Sequence, residues 1–127
     1  MIQWFRACTL LLVVAVVWGV LSALAGVPRV QFVNPPAYVP EQSMVTYYVR
    51  TPKHDDNRAL IVEAFDPSFP DPVRRSAFEL HGDRSQAMWN INWRLPVGEL
   101  VLVATVEDTQ RQVWRDVRRV TVYATGP

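Results

Sequence analysis

The chain has one cysteine and two histidines in 127 residues, a single lysine, and only five scattered glycines. Each scarcity removes a class of chemistry. Cys8 is near the amino end, so residues 28–127 contain no thiol. That leaves them no internal disulfide, no thiolate nucleophile and no cysteine-based zinc site. Cys8 follows Phe5-Arg6-Ala7, and a lipoprotein attachment site needs an apolar stretch before its cysteine. Gly82, Gly98 and Gly126 stand alone, so no glycine-rich loop exists to cradle a phosphate. Ser43, Ser68, Ser76 and Ser85 all fall in or beside turn-like sequence, and none has a Gly-x-Ser-x-Gly setting. Hydrolysis needs an activated nucleophile with an oriented base. No such set is visible, and we expect neither an enzyme nor a bound metal or cofactor.

Charge of one sign is also missing. After Arg6, twelve basic residues meet twelve acidic ones, and eleven of the twelve basic residues are arginine. The balance gives no global pull toward nucleic acid or anionic lipid.

What the chain does have is an apolar run. Ala7 to Val27 is twenty-one residues without a charge, roughly 31 Å as a helix and enough to span a hydrocarbon core. Arg6 precedes it in an acid-free start, which favours a cytoplasmic amino end. Trp4 and Phe5 suit a membrane interface, and Ala15, Gly19 and Ala23 form a small-residue stripe for helix packing. Ala23-Leu24-Ala25 before Gly26 equally fits a signal-peptidase site. A retained anchor and a cleaved signal both export the remainder. The run holds no histidine or acid, so it offers no haem ligand or proton relay.

Residues 28–127 alternate in apolarity with period two, as half-buried strands do. Val45, Tyr47 and Val49 share one parity, as do Leu60, Val62 and Ala64, then Phe78 and Leu80. Trp89, Ile91, Trp93 and Leu95 give the clearest case, with Asn90, Asn92 and Arg94 on the opposite face. Leu100, Leu102, Ala104 and Val106 follow. Turn residues occupy 52–58, 66–75, 82–85, 96–98 and 108–112. Asn34-Pro35-Pro36 predicts that Val30–Val33 is an edge strand that breaks or switches sheets. In the last strand Val113 and Val117 share one parity and Val120 and Val122 the other, which predicts a bulge near Arg118-Arg119.

About seven short strands predict one two-sheet sandwich of immunoglobulin or fibronectin type III kind, preceded by one apolar helix. The stretch Leu95-Pro96-Val97-Gly98-Glu99-Leu100-Val101-Leu102-Val103-Ala104-Thr105-Val106-Glu107-Asp108, with Val120-Thr121-Val122-Tyr123 as hairpin partner, resembles the penultimate and final strands of bacterial Ig-like modules. The resemblance covers about a quarter of the chain. It departs from the pattern in two places. There is no Cys…Trp…Cys set, and Leu100 stands where such modules often place a corner tyrosine.

Candidate site residues are few. His54-Asp55-Asp56-Asn57 is a polar turn with possible metal donors but no EF-hand pattern. His81 ends a strand, and zinc would need it beside His54. Trp114, Arg115, Arg118 and Arg119, with Arg74, Arg75 and Arg94, combine residue types common at binding hot spots; strand arginines also serve to solvate an outer face. Phe69, at the tip of the proline-stiffened loop 66–72, is the other candidate anchor.

These features lead to an expectation in two units, residues 1–27 as anchor or signal and 28–127 as an Ig-like domain. The expected role is a non-enzymatic, membrane-anchored interaction module, an accessory subunit docking on another envelope or integral membrane protein. It would sit in the inner membrane, held by residues 7–27, with the β domain periplasmic. The alternative is a soluble periplasmic binding or chaperone-like protein released after Ala25. Neither involves nucleic acid.

Overall fold

The computed structural model describes residues 28–126. The apolar segment, with its Ala15, Gly19 and Ala23 stripe and its cleavage site, lies outside the described residues. Among the described residues, no helix is long and apolar enough to cross a membrane. Eight strands follow in chain order: β1 (Gln31–Phe32), β2 (Tyr38–Pro40), β3 (Met44–Arg50), β4 (Asn57–Phe65), β5 (Arg74–Glu79), β6 (Met88–Arg94), β7 (Gly98–Asp108) and β8 (Val113–Tyr123). A short 3-10 turn occupies Gly82–Arg84.

Alternation decides which side chains go inside. In β3, Val45, Tyr47 and Val49 are buried while Met44, Thr46, Tyr48 and Arg50 are exposed. In β6, Ile91 and Trp93 are buried and Trp89 half-buried, with Met88, Asn90, Asn92 and Arg94 outside. Burying one large aliphatic or aromatic side chain is worth about 1.5–3 kcal/mol, and a one-residue slip would turn every one of them to water. Register is therefore strongly fixed in these strands.

The strands form two sheets, β1-β3-β6 and β2-β8-β7-β4-β5. Leu60, Val62, Leu102, Ala104 and Val106 line the inner face of the larger sheet. They meet Phe32, Tyr47 and Trp93 of the smaller one, whose rings pack 6.2–6.3 Å apart, centroid to centroid. Tyr47 Oη is buried without a hydrogen-bond partner, and burial pushes the pKa of its hydroxyl up to about 12. One flank of the sandwich is closed by side chains that cross between the sheets. Phe78 packs on Trp89 at 4.8 Å, and Trp93 Nε1 donates to Ser76 Oγ at 3.3 Å. At the other flank Phe32 N donates to Asp116 Oδ2 at 2.8 Å.

As expected from Asn34-Pro35-Pro36, the chain leaves β1 in the smaller sheet and re-enters as β2 in the larger, running parallel to β8. Asn34 takes a positive φ of 46° at that switch, a conformation asparagine tolerates better than most residues. Gly98 opens β7 at φ 138°, a region closed to side chains although space there is open.

The bulge expected near Arg118-Arg119 is absent. β7 and β8 pair without interruption from Gly98↔Val122 to Glu107↔Val113. Val113 and Val117 are instead exposed, and Trp114, Asp116 and Arg118 share the inward parity of Val120 and Val122. The smaller sheet has only the two-residue β1 to cover this end of β8, so the inward positions need not be apolar.

Candidate functional site

The run Trp114–Arg119 does not form one surface, because strand alternation splits it. Trp114 is half-buried on the inner side, with the Arg29 guanidinium 4.1 Å from its ring centroid. Arg29 also donates to Asn57 Oδ1 at 2.7 Å, and the buried Asn57 donates onward to the Pro52 carbonyl at 3.0 Å. Trp114 is thus a wall against which a structural arginine stacks. Arg118 Nε lies 3.2 Å from both oxygens of Asp116. Arg115 and Arg119 stand on the opposite, outer face beside Thr105 and Val101. Arg119 borders a shallow pocket of about 320 Å³ that includes Pro67, so it lies near the loop carrying Phe69. Phe69 itself is exposed at a turn held by Ser68 N donating to Asp66 Oδ1.

The histidines gather no metal site. The loops of His54 and His81 do touch, since a Cβ on Gly82 would come within 2.7 Å of the Asp55 carbonyl. His54 Nδ1, however, accepts from Asp56 N at 3.2 Å. Among the described residues no group of three or more His, Cys, Asp or Glu could hold an ion.

A different surface stands out, the outer face of the three-stranded sheet. β3 and β6 pair as Met44↔Arg94, Thr46↔Asn92, Tyr48↔Asn90 and Arg50↔Met88, and every one of these eight side chains is exposed. There is no carboxylate in the set. Six residue steps along β3 give the face a length of roughly 20 Å. Thr46 Oγ1 donates to Asn92 Oδ1 at 2.6 Å, which leaves the Asn92 amide nitrogen for another partner. Two asparagines in the middle of a strand are costly, because asparagine is depleted from strands. Nothing in the packing of the sandwich calls for them.

At the Arg50 end the face runs into a polar cleft of about 410 Å³ lined by Gln31, Phe32, Val33, Asn34, Pro35, Arg50 and Arg118. It lies at the rim between the sheets, and each sheet contributes one guanidinium. Among the described residues Arg50 meets no carboxylate within 4.0 Å. Asp116 engages Arg118 through Nε alone, so the local sum is one positive charge. At the far end Arg94 borders a second cleft of about 450 Å³ with Arg74, Glu41 and Gln42. That end is less available. Arg74 is committed to the carbonyls of Arg94 and Val73 at 3.0 and 2.7 Å, and Glu41 supplies a carboxylate.

Sequence reasoning foresaw that Asn90, Asn92 and Arg94 would share an outward face. It did not find Tyr48 and Arg50 beside them, nor Arg118 at the cleft with Arg50. The missing signal is strand pairing, which a single sequence does not carry.

No family model and no curated protein sequence matches the chain. Solved structures do, among them three of the superoxide reductase (neelaredoxin) from Ignicoccus hospitalis. One point-substituted form is 14% identical over 80% of this chain and 85% of that one, with a TM-score of 0.66. A second point-substituted form gives 14% identity over 76% and 81%, with a TM-score of 0.64. The form with no substitution named gives 15% over 76% and 80%, at 0.61.

This likeness corrects the resemblance to immunoglobulin and fibronectin type III modules, because the sandwich shares its fold with the superoxide reductase structures. The short Leu-Pro-x-Gly-Glu strand motif is a property of an antiparallel hairpin and does not specify sheet order. Both expected roles, the membrane-anchored, non-enzymatic accessory subunit and the released periplasmic binder, rested on an Ig-like module and fall with it, the shared fold being that of the superoxide reductase structures. The same finding weighs against the expectation of no enzyme, although 14% identity carries the fold and no activity. Superoxide reduction requires a centre that gives up one electron, which ordinary side chains do not supply. The donors present do not fit such a centre. His54 and His81 are the only imidazoles in the chain, and among the described residues no cluster of ligands forms.

Proposed function

We propose that the outer face of the three-stranded sheet binds a ligand bearing carboxylate or phosphate-like groups, with the anion seated in the cleft of Arg50 and Arg118. The observation that carries this reading is that two arginines, one from each sheet, line the same cleft at the end of a sheet face that holds no acid. A single exposed ion pair contributes only about 0–1 kcal/mol. Two planar forks that can each take an oxyanion bidentately add both strength and geometry. Export through residues 7–27 is proposed separately, from the apolar run alone.

The test is an NMR titration of the full-length protein with inorganic phosphate and with glutarate, following arginine Nε–Hε signals. Saturable shifts at Arg50 and Arg118, reduced at least tenfold in affinity by Arg50→Gln, are the expected result. Shifts of equal size at Arg115 and Arg119 would show only diffuse attraction to exposed arginines and would end the proposal.

A further inference from the structure

We infer that the ligand of this face is an acidic polysaccharide, a chain of pyranose rings carrying carboxylates. This rests on the anion reading above and goes further by naming the ligand. The starting point is the chemistry of the whole face. Along its centre lie Tyr48 and, directly opposite, Asn90; next to them lie Thr46 and Asn92. Tyr48 is 45% exposed, so its ring presents apolar surface and a hydroxyl on an otherwise polar platform.

A pyranose offers matching groups. Its axial C–H bonds form an apolar patch that lies against an aromatic face, and its hydroxyls and ring oxygen surround that patch as donors and acceptors. Side-chain amides suit this rim because each carries both two N–H donors and a carbonyl acceptor. The Thr46–Asn92 hydrogen bond fixes one amide on the platform, which lowers the entropy lost when a ligand orders it. Met44 and Met88 stand exposed at opposite ends of the face and provide flexible apolar surface there. Arg50 and Arg94 mark the same two ends, roughly 20 Å apart along the strand. An extended ligand with repeated carboxylates reaches the Arg50–Arg118 cleft while its rings cross Tyr48.

Charge and composition separate this ligand from two rivals. A single-stranded nucleic acid calls for several stacking aromatics along a strongly basic groove, whereas this face has one aromatic ring and the chain has a formal net charge of +1. An acidic peptide would be held by the arginines, and its backbone amides could meet the asparagines, but carboxylate side chains offer no apolar ring face to lie along Tyr48.

Isothermal titration of the full-length protein against polygalacturonate, carboxyl-reduced polygalacturonate, polyglutamate and an oligo-dT strand tests the inference. Polygalacturonate should bind, and its carboxyl-reduced form at least tenfold more weakly. Tyr48→Ala should weaken polygalacturonate binding about tenfold and Tyr48→Phe should restore it. Arg50→Gln should match the loss, and Arg115→Gln, on the other sheet's face, should leave affinity unchanged. Thermal unfolding of each variant checks that the exposed substitutions leave the fold intact.

Polyglutamate or oligo-dT binding as tightly as polygalacturonate would overturn the saccharide and leave the anion reading standing. Equal binding of the carboxyl-reduced chain would overturn the acidic polysaccharide, and the phosphate and glutarate response would then decide the anion reading by itself. Absence of binding to all four, with no phosphate or glutarate response either, would overturn both.

Discussion

The two outer faces of the sandwich are built on the same pleated geometry and carry opposite chemistry. On the five-stranded sheet, Ile61, Val101, Val103 and Val117 are flanked by charges of both signs. Arg75 lies 3.9 Å from Glu63 and Arg58 lies 3.9 Å from Glu107. Branched aliphatics and cross-strand ion pairs are what a solvated sheet face uses for its own stability. The three-stranded sheet has methionine, asparagine, tyrosine and arginines, with no acid to pair them. A face that carries two asparagines against strand preference, with unpaired charge at its rim, is the part of the surface that stability does not explain. That contrast, more than any single residue, points to the smaller sheet as the binding side.

Asp116→Ala gives the largest expected effect and separates stability from binding at the rim. It leaves the Phe32 amide without its acceptor and removes the tie between β1 and β8, lowering the free energy of unfolding by about 2 kcal/mol in a denaturant melt. It also removes the negative charge beside Arg118, so phosphate should bind several-fold more tightly to this less stable protein. Loss of phosphate binding in the folded variant would mean that Asp116 positions Arg118, and that the cleft does not work by net charge.

Asn90→Thr combined with Asn92→Thr sharpens the comparison from the other side. Threonine is favoured where asparagine is depleted, so the melt should move up by about 1 kcal/mol while polygalacturonate affinity falls. A drop in stability instead would make the two amides structural and remove the compositional argument for a saccharide platform. The smallest effect belongs to Glu63→Gln on the larger sheet. Breaking a long, partly solvated pair at 3.9 Å should change unfolding by less than about 1 kcal/mol. Ligand binding should not change at all.

Much of the fold was legible because burial writes a local pattern. The inward sets of β3, β4, β6 and β7 follow from alternation alone, and the sheet switch after Asn34 follows from Pro35 and Pro36, which donate no ladder bond. β8 misled for a physical reason. Its valines at 113 and 117 face water, while its inward positions hold Trp114, Asp116 and Arg118, so apolarity and burial disagree where the smaller sheet fails to cover it. The run Trp114–Arg119 is one stretch of sequence but two surfaces in space. In a strand, neighbours point to opposite faces.

The candidate site was half legible. Asn90, Asn92 and Arg94 could be placed on one outward face by parity, yet Tyr48 joins them only through β3–β6 pairing, more than forty residues apart in the chain. Arg50 and Arg118 line one cleft only because two sheets close over a common core. By itself the sequence determined which side chains of most strands face inward, since that follows from a two-residue backbone period and the cost of exposing apolar surface. Which strands became neighbours, which resemblance held, and which arginines came to share a cleft were decided by the tertiary structure. Those are outcomes of long-range pairing, and no local period encodes them.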